Sequence, residues 1–181
     1  IAEITHLGRK SPDINQRSGV SVRISIMNYE TITANAVRRA VLLGEKLALP
    51  RISDLPFIYA SMGSKIELDG FDDAKEGKII DALINRAVFN VFNRHAQGLG
   101  LEPVTAQFTE GFTVEVSDIM PAKNYLRVIK EINGFNDAIK KVVDSDKPEI
   151  IAATGEYILE GLHLNKRLNK SKVEGKSTYK R

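Results

Sequence analysis

The residues that could perform chemistry are few, and they form no complete catalytic set. The closest approach to a phosphate-binding loop, with the pattern G-x-x-x-x-G-K-[ST], is the tripeptide Gly175-Lys176-Ser177. Lys170 stands where that pattern needs its first glycine, and no strand is predicted before it. The three histidines share no ligand spacing, and the chain contains no cysteine. The sequence therefore predicts neither an independent enzyme nor a metal site.

The elements that would have to position any functional group are mainly helices. Apolar residues at three- and four-residue steps predict helices over 28–43, 53–62, 74–97, 122–132, 135–143 and 148–168. Within the longest of them, His95 lies on the apolar stripe and is expected to be a buried core histidine. Two segments, 65–69 and 112–116, alternate like short strands, and 11–19 reads as a loop. The prediction is a mainly α protein with minor β.

Composition and charge limit the classes of protein to which this chain can belong. A chain of 181 residues with 43% hydrophobic content can build a folded core, and no apolar run is long enough to cross a bilayer. No signal pattern begins the chain, so a cytoplasmic location is expected. Seven basic residues and one acidic residue fall in 166–181. We expect this basic end to be solvated and disordered rather than a nucleic-acid arm, because Tyr179 is its only aromatic residue.

Four motifs occur in a characteristic order. The segment Ser18–Arg23 (SGVSVR) precedes a helix rich in alanine and arginine that ends at Gly44, and Pro50–Leu55 (PRISDL) follows it. Further on come Gly111–Asp118 (GFTVEVSD) and Gly161–Leu168 (GLHLNKRL). The first motif and its helix resemble the entry to the helical lid of MoxR-type and magnesium chelatase-type AAA+ ATPases, and the second resembles the short motif that starts the next lid helix. The last two resemble the C-terminal extension of bacterial magnesium chelatase ATPase subunits, so the resemblance covers nearly the whole chain.

The resemblance implies a domain organisation. Residues 1–62 would form the helical lid of the ATPase module, residues 63–168 a helical C-terminal extension, and residues 169–181 a basic tail. Because the chain begins with Ile1 and its first residues read like the end of a helix, we expect a fragment of a longer protein. The missing part would be the chain's own N-terminal AAA+ core.

The resemblance also implies roles for particular arginines. Arg23 matches the lid arginine, called sensor 2, that enters the nucleotide site and whose planar guanidinium can bridge two phosphate oxygens. Arg17 is a second candidate, either for phosphate contact or for a neighbouring subunit's site. Arg38 and Arg39 would form salt bridges between subunits or with the core, unless they simply lie on a solvated helix face. Without the resemblance, Arg23 would be interpreted as a solvated residue before a helix.

Cofactors and partners follow from the same resemblance. ATP and Mg²⁺ would serve the full-length protein, whereas this chain lacks the phosphate loop, the acidic metal-binding strand and the arginine finger, and should neither bind ATP tightly nor hydrolyse it. A homo-oligomeric ring and a protein partner are expected, without nucleic acid or membrane. The alternative is a stand-alone helical adaptor or regulatory domain that binds protein or nucleic acid.

Overall fold

The computed structural model describes residues 1–15, 20–63, 65–66, 73–173 and 175–181, with only the backbone for 73–75. This part of the chain is mainly helical with one small antiparallel sheet, which confirms the predicted fold class. In chain order the elements are α1 (Ala2–Gly8), α2 (Val22–Leu43), the 3₁₀ helix Ile52–Ile58, α3 (Tyr59–Met62), α4 (Asp73–His95), α5 (Glu102–Thr109), β1 (Val114–Ser117), α6 (Ala122–Lys130), α7 (Phe135–Val142), α8 (Pro148–Leu164), β2 (Asn169–Val173) and β3 (Lys176–Lys180).

The start of α2 differs from its prediction. The helix begins at Val22 and is capped by Ser21, rather than starting at Asn28. Asn28 is fully buried in the helix interior, where its side-chain oxygen accepts a hydrogen bond from Ser61 Oγ at 2.7 Å. The helix does end at Leu43, because Gly44 adopts the left-handed conformation with φ of 64° that favours glycine.

The buried apolar residues form two clusters that meet at α4. The N-terminal cluster contains residues of α1, α2, the 3₁₀ helix, α3 and the first part of α4, as far as Val88. The C-terminal cluster begins at Phe92 on the same helix and is completed by α5 to α8 and the sheet. The predicted lid boundary at residue 62 therefore falls inside the N-terminal cluster, because α4 supplies Ile80, Leu83 and Ile84 to it.

Helix α8 is the central element of the C-terminal cluster. Ala152, Ile158 and Leu162 are 0% exposed, so nearly all of its circumference is covered. At Gly161 the helix approaches α4 so closely that a Cβ atom would lie 2.2 Å from the ring of Phe92. His95, in the last turn of α4, is exposed, so the expectation of a buried core histidine was wrong: in that turn Phe92 faces the core, whereas Asn93, Arg94 and His95 are exposed.

The basic end of the chain is an ordered hairpin, contrary to the expectation of a disordered tail. Strand β3 pairs antiparallel with both β1 and β2, with Tyr179 opposite Val114. Tyr179 is 1% exposed and donates a hydrogen bond to the Glu160 carboxylate, which also receives Lys170 Nζ at 2.7 Å. Burial and the adjacent Glu160 raise the pKa of Tyr179. One buried aromatic and a ladder of backbone hydrogen bonds order the segment, while most of its lysines face solvent.

The remaining elements agree with the sequence prediction to different degrees. Helices α6, α7 and α8 form where predicted, each ending a little before its predicted last residue. Helix α5 was not predicted at all. Of the predicted strand 65–69, Lys65 and Ile66 form a turn and a bend, and the rest lies outside the described residues. Across the part of the chain that is described, no helix combines the length and apolar character needed to cross a bilayer.

Candidate functional site

Arg23 lies in the first turn of α2, where its backbone is fixed and its side chain is exposed. The Ser21 hydroxyl caps the helix by accepting a hydrogen bond from the Arg23 backbone N–H at 3.2 Å. The guanidinium has no hydrogen-bond or ion-pair partner among residues 1–15, 20–63, 65–66, 73–173 and 175–181. Since the first turn of a helix also presents unpaired N–H groups, this end of α2 can attract an anion. Arg17 lies outside the described residues.

The outer face of α2 carries a row of exposed apolar side chains, which we call the outer stripe. It consists of Val22, Ile26, Tyr29, Val37 and Val41, which are 47% to 76% exposed. These residues follow one another at three- and four-residue steps, with Thr33 filling the one gap in the row, so they lie along one side of the helix. Single exposed apolar residues are common on proteins, but five aligned on one helix face, interrupted only by the half-buried Thr33, are typical of an interaction surface.

The apolar residues whose spacing predicted α2 lie on two different faces of the helix. Ile32, Ala36 and Ala40 are buried. Val37 and Val41 are exposed and belong to the outer stripe. The physical reason is that α2 is apolar on two faces, so apolar spacing alone cannot separate the face that packs from the face that remains exposed.

An apolar groove lies beside the outer stripe. Its volume is about 310 Å³, and its walls include Tyr29, Ile32, Ile52, Leu55 and Tyr157. Tyr29 belongs to both the groove and the stripe, so the two surfaces are continuous. The Tyr157 hydroxyl is buried without a hydrogen-bond partner in the described structure, and burial raises the pKa of Tyr157. A partner that enters this groove would meet an apolar surface.

A buried polar network, which we call the junction, joins α2 to the rest of the molecule. Asp54 is fully buried and accepts hydrogen bonds from Asn35 Nδ2 at 2.6 Å and from the Arg51 backbone N–H at 2.7 Å. It also forms an ion pair with Arg39, whose guanidinium donates to the Leu49 carbonyl at 2.7 Å. Arg39 is thus a buried structural residue rather than a solvated one.

Arg51 extends the junction toward α6. Its guanidinium contacts both oxygens of Glu45 at 2.9 and 3.2 Å and donates to the Met120 carbonyl at 2.7 Å. Glu45 Oε1 in turn accepts from the Ala122 backbone N–H at 2.7 Å, at the start of α6. The Arg51 side chain is 1% exposed, and its guanidinium lies 5.0 Å from the ring centre of Tyr125. A buried, charge-assisted contact of this kind fixes the position of one element against another.

Glu156 completes the junction from α8. Its carboxylate accepts from the Ser53 backbone N–H at 2.8 Å, from Ser53 Oγ at 3.2 Å and from the Tyr125 hydroxyl. Burial raises the pKa of Glu156, although these hydrogen bonds oppose the rise. Burial and the adjacent Glu156 raise the pKa of Tyr125. Residues 45–54 are therefore tied to both α6 and α8, the two helices at the centre of the C-terminal cluster.

The sequence analysis did not predict the junction, although two of its residues lie in a motif that it singled out. Arg51 and Asp54 lie within the PRISDL motif, which was read only as the start of a helix. Arg38, the other arginine predicted to form a salt bridge, is 48% exposed and lies 3.9 Å from Asp118. No cluster of three or more histidine or acidic side chains that could bind a metal occurs among the residues the structure describes.

Comparison with protein-family models, with curated proteins and with solved structures found no match to this chain in any of the three.

Proposed function

We propose that this chain is the nucleotide-sensing lid and partner-docking region of a cytoplasmic AAA+ ATPase resembling the magnesium chelatase ATPase subunit. In this proposal the outer stripe of α2 packs on the chain's own N-terminal ATPase core, and Arg23 contacts the phosphates of ATP bound there with Mg²⁺. The chain is inactive alone. In the full-length protein it takes part in a homo-oligomeric ring that acts on a protein partner.

The observation that carries the proposal is the outer stripe. Val22 to Val41 spans nineteen steps along the helix, roughly 28 Å at 1.5 Å per residue. An exposed apolar row of that length is unfavourable in water unless another surface covers it. The neighbouring groove, which Tyr29 shares with the stripe, enlarges the surface available for docking.

The position of Arg23 relative to this stripe supports the nucleotide-sensing role. Arg23 follows Val22, the first residue of the stripe, and precedes Ile26 by less than one turn. A surface that covers Val22 and Ile26 would therefore bring its own atoms close to the guanidinium. An arginine without an ion-pair partner in the described structure can pair with phosphate when the lid closes, and can separate from it when the lid opens.

The junction supports the partner-docking role. Because Arg51, Glu45 and Glu156 hold residues 45–54 against α6 and α8, a rotation of α2 would carry the C-terminal cluster with it. Movement of the lid during ATP turnover would then displace the surface of α5 to α8 and the sheet. Such a displacement is the kind of motion by which an ATPase remodels a bound protein.

Replacing Arg23 with Ala in the full-length protein tests the proposal. Loss of one charge-assisted contact in the transition state costs about 1.5–3 kcal/mol, so ATP turnover should fall roughly ten- to hundredfold. Arg23→Lys should recover part of the loss, because an ammonium keeps the charge without the planar fork. Arg127→Ala is the matched control, since Arg127 is an exposed arginine on α6 without a partner in the described structure.

Wild-type turnover and nucleotide affinity in the Arg23→Ala protein would exclude the sensor role. Turnover lost equally in Arg127→Ala would show a general effect of surface charge instead. If the full-length polypeptide contains no phosphate-loop motif, the stand-alone adaptor becomes the better proposal. The outer stripe and its groove would then bind a separate protein.

A further inference from the structure

A second groove, between α1 and α4, combines an apolar floor with basic walls, and we call it the basic groove. Its volume is about 460 Å³. Leu7, Ile79, Ala82 and Leu83 line the floor. The basic groove shares no lining residue with the outer stripe, the groove beside it or the junction, so nothing in the proposed function uses it.

Three cations surround the floor. Lys10 follows α1, and Lys78 and Arg86 lie on α4; all three are exposed. None of them has a hydrogen-bond or ion-pair partner in the described part of the chain, although the Arg86 guanidinium lies 5.5 Å from the ring centre of Phe89. Among the lining residues that the structure describes, the one acid is Asp13, whose carboxylate accepts a hydrogen bond from Ser11 Oγ at 3.4 Å. The groove is therefore electropositive around an apolar centre.

The spacing of the cations restricts what can fill the groove. Lys78 and Arg86 are eight residues apart on one helix, which places their backbones roughly 12 Å apart. Two carboxylates four residues apart on an extended peptide are separated by roughly 13 Å. An apolar side chain between them would lie above Ile79 and Leu83. The charge and spacing are thus complementary to an acidic peptide with a central apolar residue.

We propose that the basic groove binds an acidic peptide segment of a partner protein, with one apolar side chain on the floor and flanking carboxylates paired with Lys78 and Arg86. Lys10, on the opposite wall, supplies a third contact. A peptide fits this groove better than an anionic membrane does, because the apolar surface lies in a concavity rather than on a projecting face. Nucleic acid is less complementary, because the lining residues that are described offer no aromatic ring for base stacking.

Fluorescence anisotropy of the 181-residue chain with a labelled peptide, Asp-Glu-Ser-Leu-Ser-Glu-Asp, tests the proposal. We expect saturable binding that weakens as NaCl is raised, since exposed charges are screened. The charge reversal Lys78→Glu with Arg86→Glu should weaken binding at least about tenfold. Lys10→Glu should weaken it separately, and so should replacing the peptide leucine with asparagine. The matched control, Lys123→Glu with Arg127→Glu on α6, should leave the affinity within about twofold.

Several results would overturn the proposal. One is the absence of saturable peptide binding. Another is equal peptide affinity in the Lys78/Arg86 charge reversal and in the Lys123/Arg127 control. Equal binding of a peptide with lysine at every acidic position would show that charge is not recognised. The chain could instead bind vesicles of phosphatidylcholine and phosphatidylserine through Lys78 and Arg86 while failing to bind the peptide. That result would assign the groove to a membrane. Self-association lost in the Lys78/Arg86 variant would assign it to a second copy. Circular dichroism of each variant checks that the exposed substitutions leave the fold intact.

Discussion

Replacing Asp54 with Asn should destabilise the fold strongly, because Asp54 is the fully buried centre of the junction. The substitution keeps the size of the side chain and removes only its charge and one acceptor oxygen. In the native chain three groups donate to this carboxylate: Asn35 Nδ2, the Arg51 backbone N–H and the Arg39 guanidinium. The amide NH₂ of Asn would have to face at least one of those donors.

The magnitude follows from the burial of Arg39. Its side chain is 2% exposed, and the acceptors it would retain, the Leu49 carbonyl and the amide oxygen of residue 54, are both neutral. Removing one partner of a buried ion pair leaves an uncompensated charge and costs about 3–5 kcal/mol. For a chain of this size, each kcal/mol lowers Tm by about 2–4 °C. The expected drop in Tm is therefore roughly 6–20 °C.

Urea unfolding and thermal melts followed by circular dichroism at 222 nm measure the effect. Asp118→Asn is the matched control, because Asp118 pairs with Arg38 at 3.9 Å on the surface and should cost less than about 1 kcal/mol. The double variant Arg39→Met with Asp54→Leu should recover part of the loss, since it removes the buried charge itself. An Asp54→Asn protein within about 1 kcal/mol of the wild type would refute a buried charge at the junction.

Further predictions concern α4 and α8. Gly161→Ala should lower the free energy of unfolding by at least about 2 kcal/mol, because its Cβ would overlap the Phe92 ring. An unchanged urea midpoint would contradict the close packing of α8 on α4. Gly77→Ala should raise stability by up to about 1 kcal/mol, because among the described residues its Cβ would meet nothing closer than 3.8 Å and alanine favours helix; a lower Tm would contradict this. For Glu156, burial raises the folded pKa above 4.5, so the unfolded chain ionises first. Its contribution to stability is full below that pH and falls as pH rises through the folded pKa, and Glu156→Gln should show a flatter pH dependence in the same assay.

Local sequence patterns were sufficient for the helices with one apolar face. Helix α4 was predicted over 74–97 and forms over Asp73–His95, because its apolar residues repeat on one side and glycines follow it. Proline marks the start of two further predicted helices: Pro148 is the first residue of α8, and Pro121 caps α6. Such signals act within a few residues of the element they define, and can therefore be read without tertiary information.

The features that local sequence patterns did not predict depend on contacts between residues far apart in the chain. Arg39 and Arg51 look like any charged residues on a helix or loop until the fold places Asp54 and Glu45 beside them. The hairpin depends on Tyr179 pairing across from Val114, which is 65 positions earlier in the chain. The order of motifs suggested the lid and Arg23, but the outer stripe became visible only when one apolar face of α2 was seen to pack and the other was not.

Cysteine footprinting of α2 tests the central claim most directly. The 181 residues contain no cysteine, so Ile26→Cys places a single thiol in this part of the protein, within the outer stripe. Its maleimide alkylation rate, followed by peptide mass spectrometry, is compared between the 181-residue chain and the full-length polypeptide with and without ATP. Lys123→Cys on α6 is the control. We expect alkylation at residue 26 to slow at least about tenfold in the full-length protein with ATP, while residue 123 reacts equally in all three samples. Equal rates at residue 26 in all three samples would contradict the proposal that the outer stripe packs on an ATPase core.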